Sequence, residues 1–507
     1  MIIIEGKVHD NRLRRLLMSG ASANTQTSIK ELSIIDSIMQ TSRYSKEDES
    51  YNIAKMGVVE FITEIVKTDS AENKINKYTL DEMIAHIDDI ISRQMDEILH
   101  NEQIQQLEST WRGLYFLVER TNFQENIKIN LFDVTKQEAL EDFEANPDIT
   151  TATLYKRIYS SEYGQFGGEP VGAILGDYAL NASTPDMNFL SKMSSIAAMS
   201  HAPFLTSMSA GFFGLDNYAE LPKIQDLKAL LEGPQYVKWR TFRENEDSKY
   251  AGLLVTRFLT RSPYEPQENP IKKFNYKENV HNSHNHLLWG NTIYAFATRL
   301  TDSFANYRWC GNIIGPKAGG AVKDLPTYIY ESFGTTQSKI PTEVLITDRC
   351  EYELAESGFI AFTLRRDSNN AVFFSANAAL KPKIFPNTPE GKEAETNYRL
   401  GTQLPYIFLV SRLAHYLKVL QREEIGSWKE RADIENGLNE WMRQYVSDQE
   451  NPPAEVRSRR PFRGAKVLVS EIEGEAGWYR INLNVRPHFK FMGANFELSL
   501  VGKLDRE

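Results

Sequence analysis

The residues with the best claim to chemistry are His281, His284 and His286, an H-x2-H-x-H run that is the main ligand-like grouping of the sequence. Two imidazoles on one loop or strand could share a transition metal. A catalytic zinc would need a third protein ligand and hydrogen-bonded partners that orient the rings. Asn279, Asn282, Ser283 and Asn285 surround the histidines, which reads instead as a polar loop ahead of a helix at 287–300. A metal-dependent hydrolase built on His281, His284 and His286 is the alternative this run leaves open. Two glycine clusters, Gly164-Gln165-Phe166-Gly167-Gly168-Glu169-Pro170 and Gly315-Pro316-Lys317-Ala318-Gly319-Gly320, could turn backbone N–H groups toward an anion. Neither has the G-x4-G-K-[ST] pattern that seats phosphate on a helix. There is also no G-x-S-x-G elbow, H-E-x-x-H pair or calcium loop. Turns that let strands pass closely explain the glycines. No catalytic residue, cofactor or metal is expected.

The elements that must position any site are those of a globular chain. At roughly 150 residues per domain, 507 residues suggest about three domains. Apolar residues at 41% and charged residues at 25% exclude wholesale disorder. A net charge of −10 argues against a dedicated nucleic-acid binder. The run Arg457, Arg459, Arg460, Arg463 is explained as well by a contact with an acidic protein neighbour as by nucleic acid, and reads as a solvated or interface face. Two cysteines, Cys310 and Cys350, exclude a disulfide framework and fit a reducing compartment. No apolar run approaches the 18 or so residues of a membrane span. Arg14-Arg15-Leu16-Leu17-Met18 has too short an apolar core for an export signal and reads as a basic amphipathic arm. A cytoplasmic chain is expected.

The pattern predicts a mixed α/β fold. Residues 1–80 form an arm in which Ser28 and Glu31 make a capping box. Ile34, Ile35, Ile38 and Met39 follow as a stripe, and a second helix covers 51–67. In a helical segment at 81–125, Ile84, Ile87, Ile91, Met95 and Ile98 recur at 3-4-4-3 spacing, a seam that wants another helix. A second helix there runs over 103–120. The middle, 126–395, alternates like a strand at 127–132, is helical at 134–145 and 186–199, and has a buried strand at 371–374. From 396 to 507 come helices at 404–422 and 428–447, then three strands. The first, at 466–472, carries Val467 and Val469; the second turns Tyr479, Ile481, Leu483 and Val485 to one face; the third includes Phe496, Leu498 and Leu500.

Strings spread along the chain add a resemblance. Ser92-Arg93-Gln94, Trp111-Arg112-Gly113-Leu114, Glu162-Tyr163-Gly164, Gly167-Gly168-Glu169-Pro170 and Gly176-Asp177-Tyr178 open the series. His201-Ala202-Pro203-Phe204, Leu288-Trp289-Gly290-Asn291, Trp309-Cys310, Arg460-Pro461-Phe462 and Arg486-Pro487-His488 continue it. In this order, over about 30–507, they resemble the large subunit of the type VI secretion contractile sheath, the VipB/TssC family, nearest its Francisella branch. Val171 and the string Leu254-Val255-Thr256-Arg257 depart from the usual pattern. The resemblance implies a structural role without catalysis. A heterodimer with the small VipA/TssB-like subunit would polymerise with its copies into a helical sheath around an Hcp-like inner tube, on a baseplate at the cell envelope. An AAA+ unfoldase would recycle it; nucleic acid and membrane insertion play no part. It further implies that the seam at 84–98 meets the small subunit and that the strands at 466–472 and 479–486 are shared between neighbouring subunits. The helix carrying Ile34, Ile35, Ile38 and Met39 would be the unfoldase handle.

Overall fold

Apolar residues three and four apart build the long helices near the N-terminus. In the computed structural model of the chain, α1 spans Glu49–Thr68 and α2 spans Lys77–Leu99, as the 3.6-residue spacing requires. The structure describes residues 2–3, 39, 49–68, 77–165, 167–266, 269–272, 274–281, 283–332, 335–364, 370–423, 430–449, 452–471 and 479–488. The capping box at 28–31, Ile34, Ile35, Ile38 and the strand expected around 496–500 lie outside these residues. The chain divides into two compact units, and the smaller holds α1, α2 and Tyr264–Asn279. Asp96 of α2 accepts hydrogen bonds from the Tyr276 hydroxyl at 2.7 Å and the Asn279 N–H at 3.3 Å. Tyr264 and the buried Glu278 exchange two bonds of 2.9 Å, Tyr264 N–H to the carboxylate and Glu278 N–H to the Tyr264 carbonyl.

The larger unit includes Ile2–Ile3 and resumes where helix α2 stops. Asn101 accepts from the Gln103 N–H at 3.0 Å and so caps α3, Glu102–Glu119. Its main sheet contains β1 (Ile2–Ile3), β2 (Asn130–Leu131), β3 (Ile174–Leu180), β4 (Phe204–Met208), β5 (Ala251–Val255) and β6 (Phe359–Ala361). The strand order is β6-β5-β4-β3-β1-β2. Strands β3 to β6 pair in parallel, and every residue of β4 and β5 is buried, as covered parallel strands demand. The strand expected at 127–132 is shorter than its alternation suggests. Among the described residues only Asn130 and Leu131 join the ladder, opposite Ile3 and Ile2 of β1.

Capped helices pack around this sheet. Thr135 and Glu138 form a capping box for α4, Lys136–Ala145, and Ser183 caps α5, Thr184–Ser200. The helix expected at 287–300 begins later, as α6, Thr292–Tyr307. The apolar run ahead of it is a strand: Trp289–Asn291 pairs antiparallel with Arg257–Leu259, and Asn291 then caps α6. At 371–374 only Ala371–Val372 is laddered.

Helices α7 (Pro389–Gly401), α8 (Leu404–Glu423) and α9 (Arg431–Arg443) lead to a final hairpin, β7 (Phe462–Glu471) with β8 (Tyr479–Pro487). A bulge resets its alternation. Phe462 faces Pro487 and Gly464 faces Arg486, which leaves Arg463 unpaired. Phe462 and Val467, five residues apart, therefore both point inward. They join Trp309, Leu413, Leu438, Met442 and Val469 in a second apolar core.

Candidate functional site

The strings that carry the resemblance converge on structural anchors. A register shift between Gly176 and Ala179 throws Asp177 out of the β3–β4 ladder. Its carboxylate accepts from Thr110 of α3 at 2.7 Å, from the Tyr294 hydroxyl of α6 at 2.7 Å and from the Asn291 amide at 2.8 Å. One acid thus ties sheet, helix α3 and helix α6 together. Gly113 lets the two helices touch, since a Cβ there would lie 2.3 Å from the Tyr294 ring. Glu108 sits between Arg112 at 2.6 Å and Arg261 at 2.9 Å. Burial raises its pKa, but the two guanidiniums outweigh this and hold the carboxyl below its ordinary range.

The three histidines do not converge. His284 Nε2–H donates at 3.1 Å to the buried Glu343 carboxylate, and its ring stacks on Trp289. The His286 ring stacks on His100 with centroids 4.0 Å apart. His281 lies 3.5 Å from the Tyr328 hydroxyl. Among the described residues, no group of three or more His, Cys, Asp or Glu side chains could hold a metal ion. Glu343 itself is gripped in two places by Arg257, at 2.7 and 2.8 Å. Burial would raise its pKa, yet Arg257 and then His284 pull the carboxyl down to about 2. The departing string 254–257 keeps this arginine in reach through Thr256, whose φ of +73° kinks the chain between β5 and Arg257. Burial pushes the Cys310 thiol up to about 12 and that of Cys350 to about 11. Neither is a thiolate nucleophile at neutral pH.

What the molecule does present is apolar surface. On α2, Ile84, Ile87, Ile91 and Ile98 are 37–50% exposed, and Met95 is half-buried. Helix α3 carries a second apolar stripe besides its core face. Gly113, Phe116 and Leu117 are buried, while Ile104, Leu107, Trp111, Tyr115 and Val118 face outward at the same 3-4-4-3 spacing. Leu107, Trp111 and Tyr115 are each about 60% exposed. Single exposed apolar residues are ordinary, but rows along one helix mark an interface. Among the described residues no helix is long and apolar enough to cross a membrane.

The terminal hairpin has two unlike edges. Val467 and Val469 of β7 are buried, and the outer edge of that strand is occupied by α9. Asn439 both donates to the Val467 carbonyl and accepts from its N–H, each at 2.9 Å, and Glu435 accepts from the Val469 N–H at 2.9 Å. Strand β8, with Ile481, Leu483 and Val485 half-buried and Tyr479 opposite Glu471, has no second strand partner among the described residues. Of the expected handle only Met39 is described, and it is buried.

A family model for the EvpB/VC_A0108 tail sheath N-terminal domain (VipB) matches residues 81–380, and one for the tail sheath gpW/gp25-like domain matches 393–504. The type VI secretion system sheath protein TssC1 of Pseudomonas aeruginosa is 36% identical over 431 residues, 84% of this chain and 86% of that protein. It bears on the family and not on the Francisella branch. In the cryo-EM structure of the anti-feeding prophage baseplate, a chain aligns at TM-score 0.32 and 11% identity over 64% of this chain and 69% of its own. A chain of the contracted helical sheath of that prophage aligns at TM-score 0.29 and 12% identity, over 70% and 82%. Membership rests on the sequence matches. This chain belongs to the EvpB/VC_A0108 tail sheath family, VipB.

Proposed function

We propose that the chain is a structural subunit of a contractile type VI secretion sheath and performs no catalysis. It pairs with the small VipA/TssB-like subunit, and the pairs polymerise into a helical tube around an Hcp-like inner tube on a baseplate. Contraction then drives the inner tube outward. The observation that carries this reading is the match to both sheath domains along 81–504. The engagement of Glu343, Arg257 and His284 with one another supports it, since these groups would otherwise be the best candidates for chemistry.

The surfaces suit an assembling protein. We assign the isoleucines of α2 to the small subunit and the outward stripe of α3 to the same or an adjoining contact. The outer edge of β8, without a second strand partner among the described residues, would take a strand from a neighbouring subunit, because α9 already occupies the edge of β7. Residues 34–39 would be gripped by an AAA+ unfoldase after contraction. The sheath stands in the cytoplasm, anchored at the envelope. A fluorescent fusion expressed in the native bacterium tests the function: cell-spanning lines that shorten abruptly are expected, and fluorescence that stays diffuse under secreting conditions would overturn the reading.

A further inference from the structure

A groove of about 1140 Å³ runs between the terminal hairpin, α7, α8 and the turn at 246–250. Lys249, Lys392, Arg463, Lys466 and Arg486 line it, against a single carboxylate, Glu246. Glu246 is already bound, by Lys383 at 2.7 Å and the Tyr398 hydroxyl at 3.4 Å. None of the five cations has an ion-pair partner among the described residues. This concentration of positive charge lies on a chain with 68 Asp+Glu against 58 Lys+Arg. The bulge contributes to it by placing Arg463 outside the ladder as an extra residue. The field reaches the hairpin's end: burial first, then the charges of Arg457 and Arg463, hold the His488 imidazole below its ordinary range.

Apolar side chains are interleaved with the cations. Leu400, Ile407, Val410 and Val485 line the same groove, and Val410 is 42% exposed. The chain's own residues 489–507 carry three Lys/Arg and three Asp/Glu, so they do not supply the missing negative charge. We propose that this groove docks an acidic segment of a partner protein, one in which carboxylates alternate with apolar side chains. The carboxylates pair with the five cations while the apolar groups cover Val410 and its neighbours, a division of labour common in peptide grooves.

The test is fluorescence anisotropy on the purified full-length chain with three labelled probes: a short peptide alternating Glu with Leu and Phe, its Lys counterpart, and a single-stranded DNA oligonucleotide. The Glu peptide should bind, and binding should weaken at least about tenfold on raising salt from about 50 to about 300 mM. The triple variant Arg463→Glu, Lys466→Glu, Arg486→Glu should weaken it by a similar factor, as should Lys249→Glu with Lys392→Glu on the helical side. Each variant is compared at matched thermal melting, and Lys238→Glu, outside the groove, should leave binding unchanged. Equal binding of the Lys peptide, or indifference to both sets of charge reversals, would overturn the proposal. Tighter binding of the oligonucleotide would overturn it too, by making the groove a polyanion site.

Discussion

Replacing Gly113 by alanine should destabilise this protein, against the usual sign for a helical glycine. In an open helix position Gly→Ala stabilises by about 1 kcal/mol, because alanine loses less freedom on folding. Gly57 in α1 and Gly437 in α9 have nothing within 4 Å of the Cβ site and should show that gain. At Gly113 the new methyl would lie 2.3, 2.5 and 2.9 Å from three ring carbons of Tyr294. Carbon–carbon contacts settle near 3.5–4 Å, so the ring must retreat by roughly 1 Å. Its hydroxyl is held by Asp177 at 2.7 Å, and that carboxylate is held in turn by Thr110 and Asn291. Overpacking costs about 1–3 kcal/mol, and stretching the hydroxyl bond adds about 1 kcal/mol. After the propensity gain, the net loss is about 1–3 kcal/mol. Urea unfolding of the full-length chain, followed by circular dichroism, measures it. In a Tyr294→Ala background Gly113→Ala should turn neutral or stabilising, giving a coupling of at least about 1 kcal/mol. If Gly113→Ala stabilises the otherwise unchanged protein as Gly57→Ala does, the packing argument is wrong.

Other consequences follow from the same contacts. Glu343 has a depressed carboxyl pKa, so its contribution is present above the ordinary range near 4.5 and is lost as pH falls toward about 2; unfolding measured between about pH 6 and about pH 3 should contain an acid-labile component that Glu343→Gln lacks. That substitution should also cost about 1–3 kcal/mol at neutral pH, because the partly exposed Arg257 loses its counter-charge. Ile87→Asp with Ile91→Asp, or Leu107→Asp with Trp111→Asp, should leave the circular dichroism spectrum intact yet abolish co-purification with the small subunit or tube assembly. Leu117→Asp, on the buried face of α3, should prevent folding instead. Val467 gives both its backbone groups to Asn439, so its partner Leu483 turns its N–H to the outer edge of β8; Leu483→Pro removes that donor and should block tubes while the heterodimer still purifies.

Local spacing made some of this structure legible and hid the rest. The isoleucines of α2, the alternation of β8 and the apolar runs of the C-terminal helices each declare an element within a few turns of chain. Spacing predicts the helix at 103–120 but cannot say which of its two apolar faces is covered, the one with Phe116 and Leu117 or the one with Leu107 and Trp111. The strand at 127–132 was misjudged in extent for a different reason: its described partner, Ile2–Ile3, is far away in sequence, so local alternation could not fix where pairing ends. Leu287-Leu288-Trp289 looked like the start of a helix because a short apolar run has no period of its own. Asp177 was legible only as part of a recurring string, since its three partners come from helices α3 and α6 and the cap between them. The histidine run is the converse case. Its spacing left shared ligation open as the alternative to a polar loop, and the fold turns each ring to a different neighbour.

Negative-stain electron microscopy of the chain co-expressed with the small subunit tests the central claim most directly. The expected result is hollow tubes with a regular helical repeat that contain both chains, lost in the Leu483→Pro variant. A mixture of discrete soluble particles from well-folded protein, with no tubes at any concentration or salt, would contradict it.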